Sequence, residues 1–240
     1  MITQWQNELM DAAQPERKEI FQRFFKTGKG EYGEGDIFIG LTVPANRSIS
    51  KKYFDRPLDE ISAMLASPVH EHRLGALLAL VEKYKKAKSD SDRKAVADFY
   101  ISICRLANNW DLVDLSAPFI LGRELAAGKH HDTVRRLATS ESLWERRTAV
   151  VATLTCVRHM QLDLALDMCL KTLEDPEPLM RKATGWVLRE AGKKDITALR
   201  RFLSDNIDRI SSTTLSYATE KFTPAERAEL RNMRNLRKNS

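Results

Sequence analysis

Three stretches of the 240-residue sequence share one pattern, and its recurrence restricts the fold more than any other feature. Each stretch carries a basic residue or pair, then small residues, then an aliphatic run. The stretches are 72–80, 145–154 and 180–188. Steps of 37, 37 and 35 residues separate Arg73, Trp110, Arg147 and Lys182. Such an interval is typical of repeats built from paired helices, in which small residues let neighbouring helices pack closely.

Helical periodicity continues through almost the whole chain. Apolar residues return every three or four positions, and alternating β-branched residues are scarce. We therefore predict an all-α protein, a curved α-solenoid of HEAT-like helical repeats that forms a single domain over 1–240. The predicted helices are 2–13, 15–26, 45–53, 57–66, 70–86, 91–107, 110–126, 131–139, 142–159, 162–174, 177–194, 196–209, 211–221 and 223–238.

Two parts of the chain depart from this helical pattern. Residues 36–43 read DIFIGLTV, which fits a short strand or, equally well, an extended loop over 35–44. Residues 235–240 are polar and are expected to form a flexible tail.

The charge balance favours a polyanionic partner. The chain has 39 Lys and Arg residues against 33 Asp and Glu residues, a net charge of +6. Clustered cations gain affinity for nucleic acid because they release counterions from phosphates.

The three cysteines, Cys104, Cys156 and Cys169, are widely spaced and lie in apolar helical sequence. They are expected to be reduced core residues, which indicates the cytosol, of bacterial type and including the nucleoid. Residues 1–15 contain no apolar signal region, and no run is long enough to span a membrane, so no membrane partner is expected.

The histidines, cysteines and serines show no pattern of a metal or nucleophile site. His70 and His72 are two residues apart and His130 and His131 are adjacent, but neither pair has zinc-ligand spacing to the cysteines. No serine or cysteine is arranged with a histidine as nucleophile and base. We expect neither a metal nor a cofactor.

The stretch 108–114, NNWDLVD, reads as a helix start in which an asparagine caps the helix and Asp111 is a first-turn acid. Trp110 and Asp114 lie one turn apart and therefore share a face. The opposite face is the predicted core stripe of Leu112, Leu115 and Phe119. An aromatic ring and an anion turned away from the core suggest a binding site.

Two later parts of the chain contain further candidates for a binding site, one around Trp186 and the other at Arg147. Lys182 and Arg189 lie one turn to either side of Trp186, and an aromatic flanked by cations is typical of nucleic-acid surfaces. Arg147 ends an apolar stripe, so it is expected to be half-buried and to seek an anion, either Asp114 or a phosphate.

Four motifs, taken in their order along the chain, resemble those of the AlkD-like family of HEAT-like-repeat alkylpurine DNA glycosylases. The resemblance covers roughly 18–205. The motifs are FFKTGKG through GLTVP at 24–44, NNWDLVD with APFILG at 108–122, LWERR at 143–147 and RKATGWVLRE at 181–190.

The resemblance implies a DNA repair enzyme that hydrolyses the N-glycosidic bond of N3- or N7-alkylated purines in duplex DNA. The damaged nucleotide is not flipped out of the duplex but faces an aspartate and two tryptophans on a concave basic surface. These residues carry over to Asp114, Trp110 and Trp186, with Arg147 near the backbone phosphate. No lysine is placed for a Schiff base, so a monofunctional enzyme is expected, acting as a monomer.

Basic side chains around these positions are the predicted DNA contacts: Lys182, Arg189, Arg146, Arg181 and Lys29. Lys29 lies in the glycine-rich tract 28–35, which lacks the features of a P-loop and is interpreted as a flexible connector. Phe24 or Phe25 is a candidate for an aromatic that lines the cleft. The face formed by Arg227, Arg231, Arg234 and Lys238 is either a phosphate-contact ridge or a solvated charged face.

Two alternatives remain at this stage. One is a non-catalytic helical-repeat protein that binds damaged or branched DNA, because fold does not fix activity. The other is a protein-binding solenoid scaffold. The joint presence of Trp110, Asp114, Arg147 and Trp186 favours the glycosylase over the first, and the basic balance disfavours the second.

Overall fold

Helices make up each of the two units into which the chain divides, Met1–Ser116 and Ala117–Ser240. The computed structural model describes residues 3–238, with side chains as far as residue 237. Within residues 3–238 the regular elements are α-helices and short 3-10 turns, and no strand is present. The prediction of an all-α helical-repeat fold is confirmed.

The first unit contains seven α-helices among its described residues. They are α1 (Gln4–Asp11), α2 (Lys18–Phe24), α3 (Val43–Ser50), α4 (Leu58–Leu65), α5 (His70–Lys86), α6 (Asp90–Ile103) and α7 (Trp110–Asp114). Its 3-10 turns are Pro15–Arg17, Lys51–Tyr53 and Cys104–Leu106.

The described part of the second unit begins with the 3-10 turn Ala117–Phe119 and continues through nine α-helices. They are α8 (Leu121–Ala126), α9 (His131–Leu137), α10 (Leu143–Ala152), α11 (Leu154–Arg158), α12 (Leu162–Lys171), α13 (Pro178–Lys194), α14 (Ile196–Asp205), α15 (Ser212–Ala218) and α16 (Pro224–Lys238).

Helix α5 is the centre of the first unit and packs against α1, α3, α4, α6 and α7. All of its residues from His70 to Leu80 are buried, including four polar ones at its start. Gly75 permits the contact with α3, because a Cβ there would lie 2.7 Å from Ser50 Oγ. Because these polar side chains are buried, they need hydrogen-bond partners, and these partners shape the candidate site.

Helix α13 has the same role in the second unit, where it packs against α10, α11, α12, α14 and α15. Gly185 lies where α13 meets α15, and a Cβ there would lie 2.5 Å from the Cβ of Tyr217. Close approach at small residues is what the repeat pattern predicts.

The same hydrogen-bonded turn precedes α5, α10 and α13. The side-chain oxygen of Ser67 accepts the Val69 N–H at 3.2 Å, and the Ser67 carbonyl accepts from Arg73 Nη1 at 2.8 Å. Equivalent pairs of contacts measure 3.1 and 2.9 Å for Ser140 with Ser142 and Arg146, and 3.0 and 3.0 Å for Asp175 with Glu177 and Arg181. This shared turn is the structural basis of the sequence repeat.

The register of the repeat passes through Arg73, Arg146 and Arg181, each the fourth residue of its helix. The predicted register through Arg147 and Lys182 is therefore wrong by one residue. Arg147 and Lys182 are instead the fifth residues of α10 and α13, the position that Asp114 occupies in α7.

The predicted helix 110–126 is broken into α7, a 3-10 turn and α8. Pro118 has no N–H to donate to the Asp114 carbonyl four residues earlier, and its ring crowds that carbonyl, so the α-helix that begins at Trp110 ends at Asp114. The break changes which side chains reach the core. Leu112 is buried as expected, but Leu115 and Phe119 are only half-buried, and the core stripe predicted through them is wrong. Buried apolar side chains here include Val113, Ala117 and Ile120.

Other boundaries lie mostly within a few residues of the predictions. The predicted helix 142–159 is two helices that meet at Thr153, and the segment 36–42 is extended, with one isolated bridge between Ile37 and Val69. Helix α16 includes 235–238, and residues 239 and 240 lie outside the described part.

The cysteines are buried and unbridged, as expected. No helix in the described range is long and apolar enough to cross a bilayer.

Candidate functional site

A cavity of about 370 Å³ in the first unit is surrounded by aromatic rings. Three carboxylate residues also line it, Glu71, Asp111 and Asp114, with Leu41, Val43, Leu74 and Leu115 supplying aliphatic wall. The rings come from α2 and the residue after it, the extended segment, α5 and α7, and they are Phe21, Phe24, Phe25, Phe38, His70 and Trp110.

Phe25 is the centre of the aromatic cluster. Its ring stacks on Phe38 and on Trp110, with centroid separations of 5.0 and 5.2 Å. Phe24 meets the Trp110 ring edge-on at 5.6 Å and remains 61% exposed, so it forms the solvent-facing rim. Both candidates for a cleft aromatic therefore contact Trp110, Phe25 from inside and Phe24 at the edge.

Phe24 and Phe25 lie at the C-terminal end of α2, where the chain makes a tight turn. Lys26 adopts left-handed backbone geometry with φ of 56°, and the Thr27 N–H donates to the Gln22 carbonyl at 3.2 Å. This is the hydrogen bond of a Schellman C-cap, which reverses the chain just after the helix. Phe24 and Phe25 are the last two residues before this reversal, and both rings contact Trp110.

Trp110 and Asp114 both line the cavity and both are half-buried, so the prediction that they share a face is confirmed. Asn109 caps α7 by accepting the Trp110 N–H at 2.8 Å. Because α7 is only five residues long, its position depends on its neighbours more than on its own hydrogen bonds. Leu115 lines the same cavity, which accounts for its absence from the core.

A buried polar network that the sequence reasoning missed holds α7 in place. His70 Nε2 lies 2.9 Å from an Asp111 carboxylate oxygen, and its Nδ1 lies 3.2 Å from Asp36. Asp36 also contacts Arg73 Nη2 at 2.6 Å and accepts from Asn108 Nδ2 at 3.1 Å. The imidazole thus bridges the extended segment and the first turn of α7. The His70 ring lies against Phe38, with centroids 4.4 Å apart.

The charges in this network support one another. Burial lowers the pKa of His70, but the Asp111 carboxylate and the hydrogen bonds to both aspartates outweigh it and raise the pKa to about 9. Burial raises the pKa of Asp36, yet the bond to His70 and the charge of Arg73 bring it below its ordinary value. A protonated imidazole that donates to two carboxylates satisfies all three groups.

Glu71 anchors the other wall of the cavity. Its carboxylate is buried and accepts the N–H groups of Ile39, Gly40 and Leu41 at 2.9 to 3.2 Å. Burial raises the pKa of this carboxyl despite these bonds. Asp111, predicted only as a helix-start acid, likewise accepts the Leu112 N–H while it binds His70. The sequence did carry a signal for these buried contacts, because His70 and Glu71 are polar residues at the start of an otherwise apolar helix.

The remaining predicted catalytic residues belong to the second unit. Trp186 is half-buried on α13, and Lys182 one turn before it is exposed. Arg147 is buried rather than half-buried, because α10 and α13 pack around it, and its Nη1 donates to the Leu179 carbonyl at 2.7 Å.

Of the side chains predicted to contact DNA, some are bound to other residues of the protein and some are exposed to solvent. Arg146 is committed within the protein, because its Nε lies 2.6 Å from Asp175 and its Nη1 donates to two carbonyls. Arg181 Nε donates to the Asp175 carbonyl, and Arg189 pairs with Glu220. Lys29 is exposed, as is Lys182. Among the described residues, no cluster of His, Cys, Asp or Glu fits a metal ion.

This arrangement suits a cation. Ring faces carry negative electrostatic potential and a nearby carboxylate adds a full negative charge, so positive charge developing beside them is stabilised. The apolar lining reduces competition from water, which strengthens that interaction.

Fold and site together define an all-α helical-repeat protein with an aromatic cavity that bears carboxylates. A family model described as "DNA alkylation repair enzyme" matches residues 5–222, and the chain belongs to that family. A solved structure titled as a predicted DNA alkylation repair enzyme from Enterococcus faecalis is similar in fold, with a TM-score of 0.70 and 19% identity. The match covers 88% of this chain and 97% of that one. A search of curated proteins finds no significant match.

Proposed function

We propose that the protein is a monofunctional DNA N-glycosylase that removes N3- and N7-alkylated purines from duplex DNA. Membership of the DNA alkylation repair enzyme family supports the substrate. The observation that carries the proposal is the aromatic cavity of the first unit, in which Trp110 and the Asp114 carboxylate occur together.

The chemistry requires an anion beside the sugar. Alkylation at N3 or N7 makes the purine cationic, so the base departs with the electron pair of the C1′–N bond and leaves as a neutral molecule. Positive charge then develops on the deoxyribose, where Asp114 stabilises it and orients a water molecule. The water oxygen bonds to C1′, and its proton passes to solvent.

The other residues bind and position the DNA in this proposal. Trp110 and Trp186 line the lesion site, and Arg147 interacts with the backbone near it. Lys182, Arg189, Arg146, Arg181 and Lys29 contribute the surrounding charge. We propose a monomer that works in a bacterial-type cytosol and needs no metal or cofactor.

Single-turnover release of N7-methylguanine from a defined duplex tests the proposal. We expect release by the natural sequence and at least a ~10-fold slower rate for Asp114→Asn, equivalent to about 1.4 kcal/mol of lost electrostatic stabilisation. Asp98→Asn is the matched control, because it removes a carboxylate of the same unit that pairs with Lys94 and does not line the cavity.

Each other outcome has a defined meaning. Salt-sensitive DNA binding without release would support a non-catalytic protein that binds damaged or branched DNA. Release that is unaffected by Asp114→Asn would retain the glycosylase and remove Asp114 from its mechanism. No DNA binding at all would support a protein-binding scaffold.

A further inference from the structure

The second unit contains a basic groove between α15 and α16, with a volume of about 170 Å³. One side presents Arg227, Arg231 and Arg234, which are spaced four and three residues apart on one face of α16. The opposite side presents three hydroxyl groups, from Ser212, Ser216 and Thr219. The family match ends at residue 222, so α16 is an element outside it.

The arginines of this groove contrast with two others of the same unit, Arg135 and Arg209, which pair with the carboxylates of Asp167 and Glu174. Across the described range, neither Arg227 nor Arg231 has a salt bridge or a side-chain hydrogen bond, and no acidic residue lines the groove. Like charges at this spacing repel each other unless an anion lies between them.

Arg234 provides a second and independent observation. Its Nη1 donates to Ser212 Oγ at 2.7 Å, which fixes the guanidinium beside the hydroxyl row. Its Nε is buried and has no hydrogen-bond partner among the described residues. The contact with Ser212 thus holds the charge of Arg234 at the groove.

We propose that this groove binds backbone phosphates of duplex DNA. Guanidinium forks and hydroxyl donors match phosphate oxygens, and such contacts fix register and add affinity without reading sequence. The choice of DNA as the polyanion rests on the proposed function. The groove is thus a non-specific DNA-binding surface formed in part by α16, which lies beyond the residues that the family model matches.

The salt dependence of DNA affinity tests this proposal on the full chain. The test variant is Arg227→Gln with Arg231→Gln, and the control is Arg135→Gln with Arg209→Gln, which removes the same charge from paired arginines. Binding to a short undamaged duplex is measured by fluorescence anisotropy over a range of salt concentrations. Each phosphate that the protein no longer neutralises reduces the slope of log K against log salt by about 0.9, so we expect a reduction of about 1.8 for the test variant.

Further variants separate charge from folding. Replacing the same two arginines by lysines is expected to restore most of the slope, because a lysine still neutralises a phosphate. If the double variant melts early, Arg231→Gln alone, at an exposed residue, is expected to reduce the slope by about 0.9. An unchanged slope, or an equal reduction in the control, overturns the proposal.

The experiments can reject the proposed groove and the proposed glycosylase activity independently of each other. Base release with an unchanged slope in the double variant would reject the groove alone. A reduced slope without base release would retain the groove and reject the glycosylase. A chain that binds no duplex at low salt would reject both.

Discussion

One buried imidazole determines much of the order around Trp110. His70 joins Asp36 in the extended segment to Asp111 in α7, and its ring packs against Phe38. Because α7 is one short helix, we infer that these contacts hold Trp110 and Asp114 at the cavity wall. Such a residue is a positioning residue, since it acts through Asp111.

The raised pKa of His70 predicts a loss of stability in alkali. The folded pKa is about 9 against an ordinary value of 6.5, so the folded state holds the proton more tightly. This stabilisation is fully present below pH 6.5 and is lost as the pH rises through 9. We expect it to contribute about 3 kcal/mol to the fall in unfolding free energy across that window.

Chemical denaturation between pH 6.5 and 9 measures this effect. The fall is expected in the natural sequence and not in His70→Gln. His72→Gln is the matched control, because burial lowers the pKa of His72 and its titration lies below this window. The same pH dependence in His70→Gln and the natural sequence would contradict the prediction.

The site could be predicted from the sequence only where it is local. Trp110 and Asp114 share a face because they lie four residues apart in one helix, and helix geometry alone gives that result. The His70 network joins Asp36, His70 and Asp111, which lie far apart in sequence, and no period connects them. Charge pairing over such distances depends on how α5 and α7 pack.

At the scale of helices, the points at which a helix ends within an apolar run are harder to predict from the sequence than the helices themselves. Pro118 lies within an apolar run of helical period, so the run read as one helix over 110–126, although it holds α7 and α8. The turn shared by α5, α10 and α13 was visible as a repeat, but its register depends on hydrogen bonds made by Ser67, Ser140 and Asp175.

The end of α11 offers a prediction about helix termination. Met160 follows the C-cap with φ of 62°, and the Gln161 N–H donates to the Cys156 carbonyl at 2.9 Å. Left-handed geometry is strained for a residue with a Cβ and is normal for glycine. Met160 is 58% exposed, so truncation of its side chain removes little packing.

We therefore expect Met160→Gly to raise the unfolding free energy by about 0.5–1 kcal/mol, after the greater freedom of glycine in the unfolded chain is subtracted. Met160→Ala is the control, because it removes the same side chain but keeps the Cβ. Denaturant unfolding compares the two variants. A gain as large in Met160→Ala would show that left-handed strain is not the cause.

At the scale of the whole chain, composition and period were sufficient for the fold class, and four ordered motifs led to the family. The distribution of charge was less predictable. A net charge of +6 does not tell which cations are committed within the protein. Arg146 and Arg189 pair with acids, whereas Lys29 and Lys182 are exposed and, within the described residues, have no salt bridge.

These cations predict the salt dependence of DNA binding. Lys29, Lys182 and the three groove arginines together amount to about five phosphate contacts, so the slope of log K against log salt is expected to be about −4 to −5. Phosphates carry no information about the base, so a duplex with one N7-methylguanine and its undamaged equivalent are expected to give the same slope. Anisotropy titrations of both duplexes measure it. A slope shallower than about −1 for either duplex would mean that phosphates are not the main contact, and the protein-binding scaffold would then become the better hypothesis.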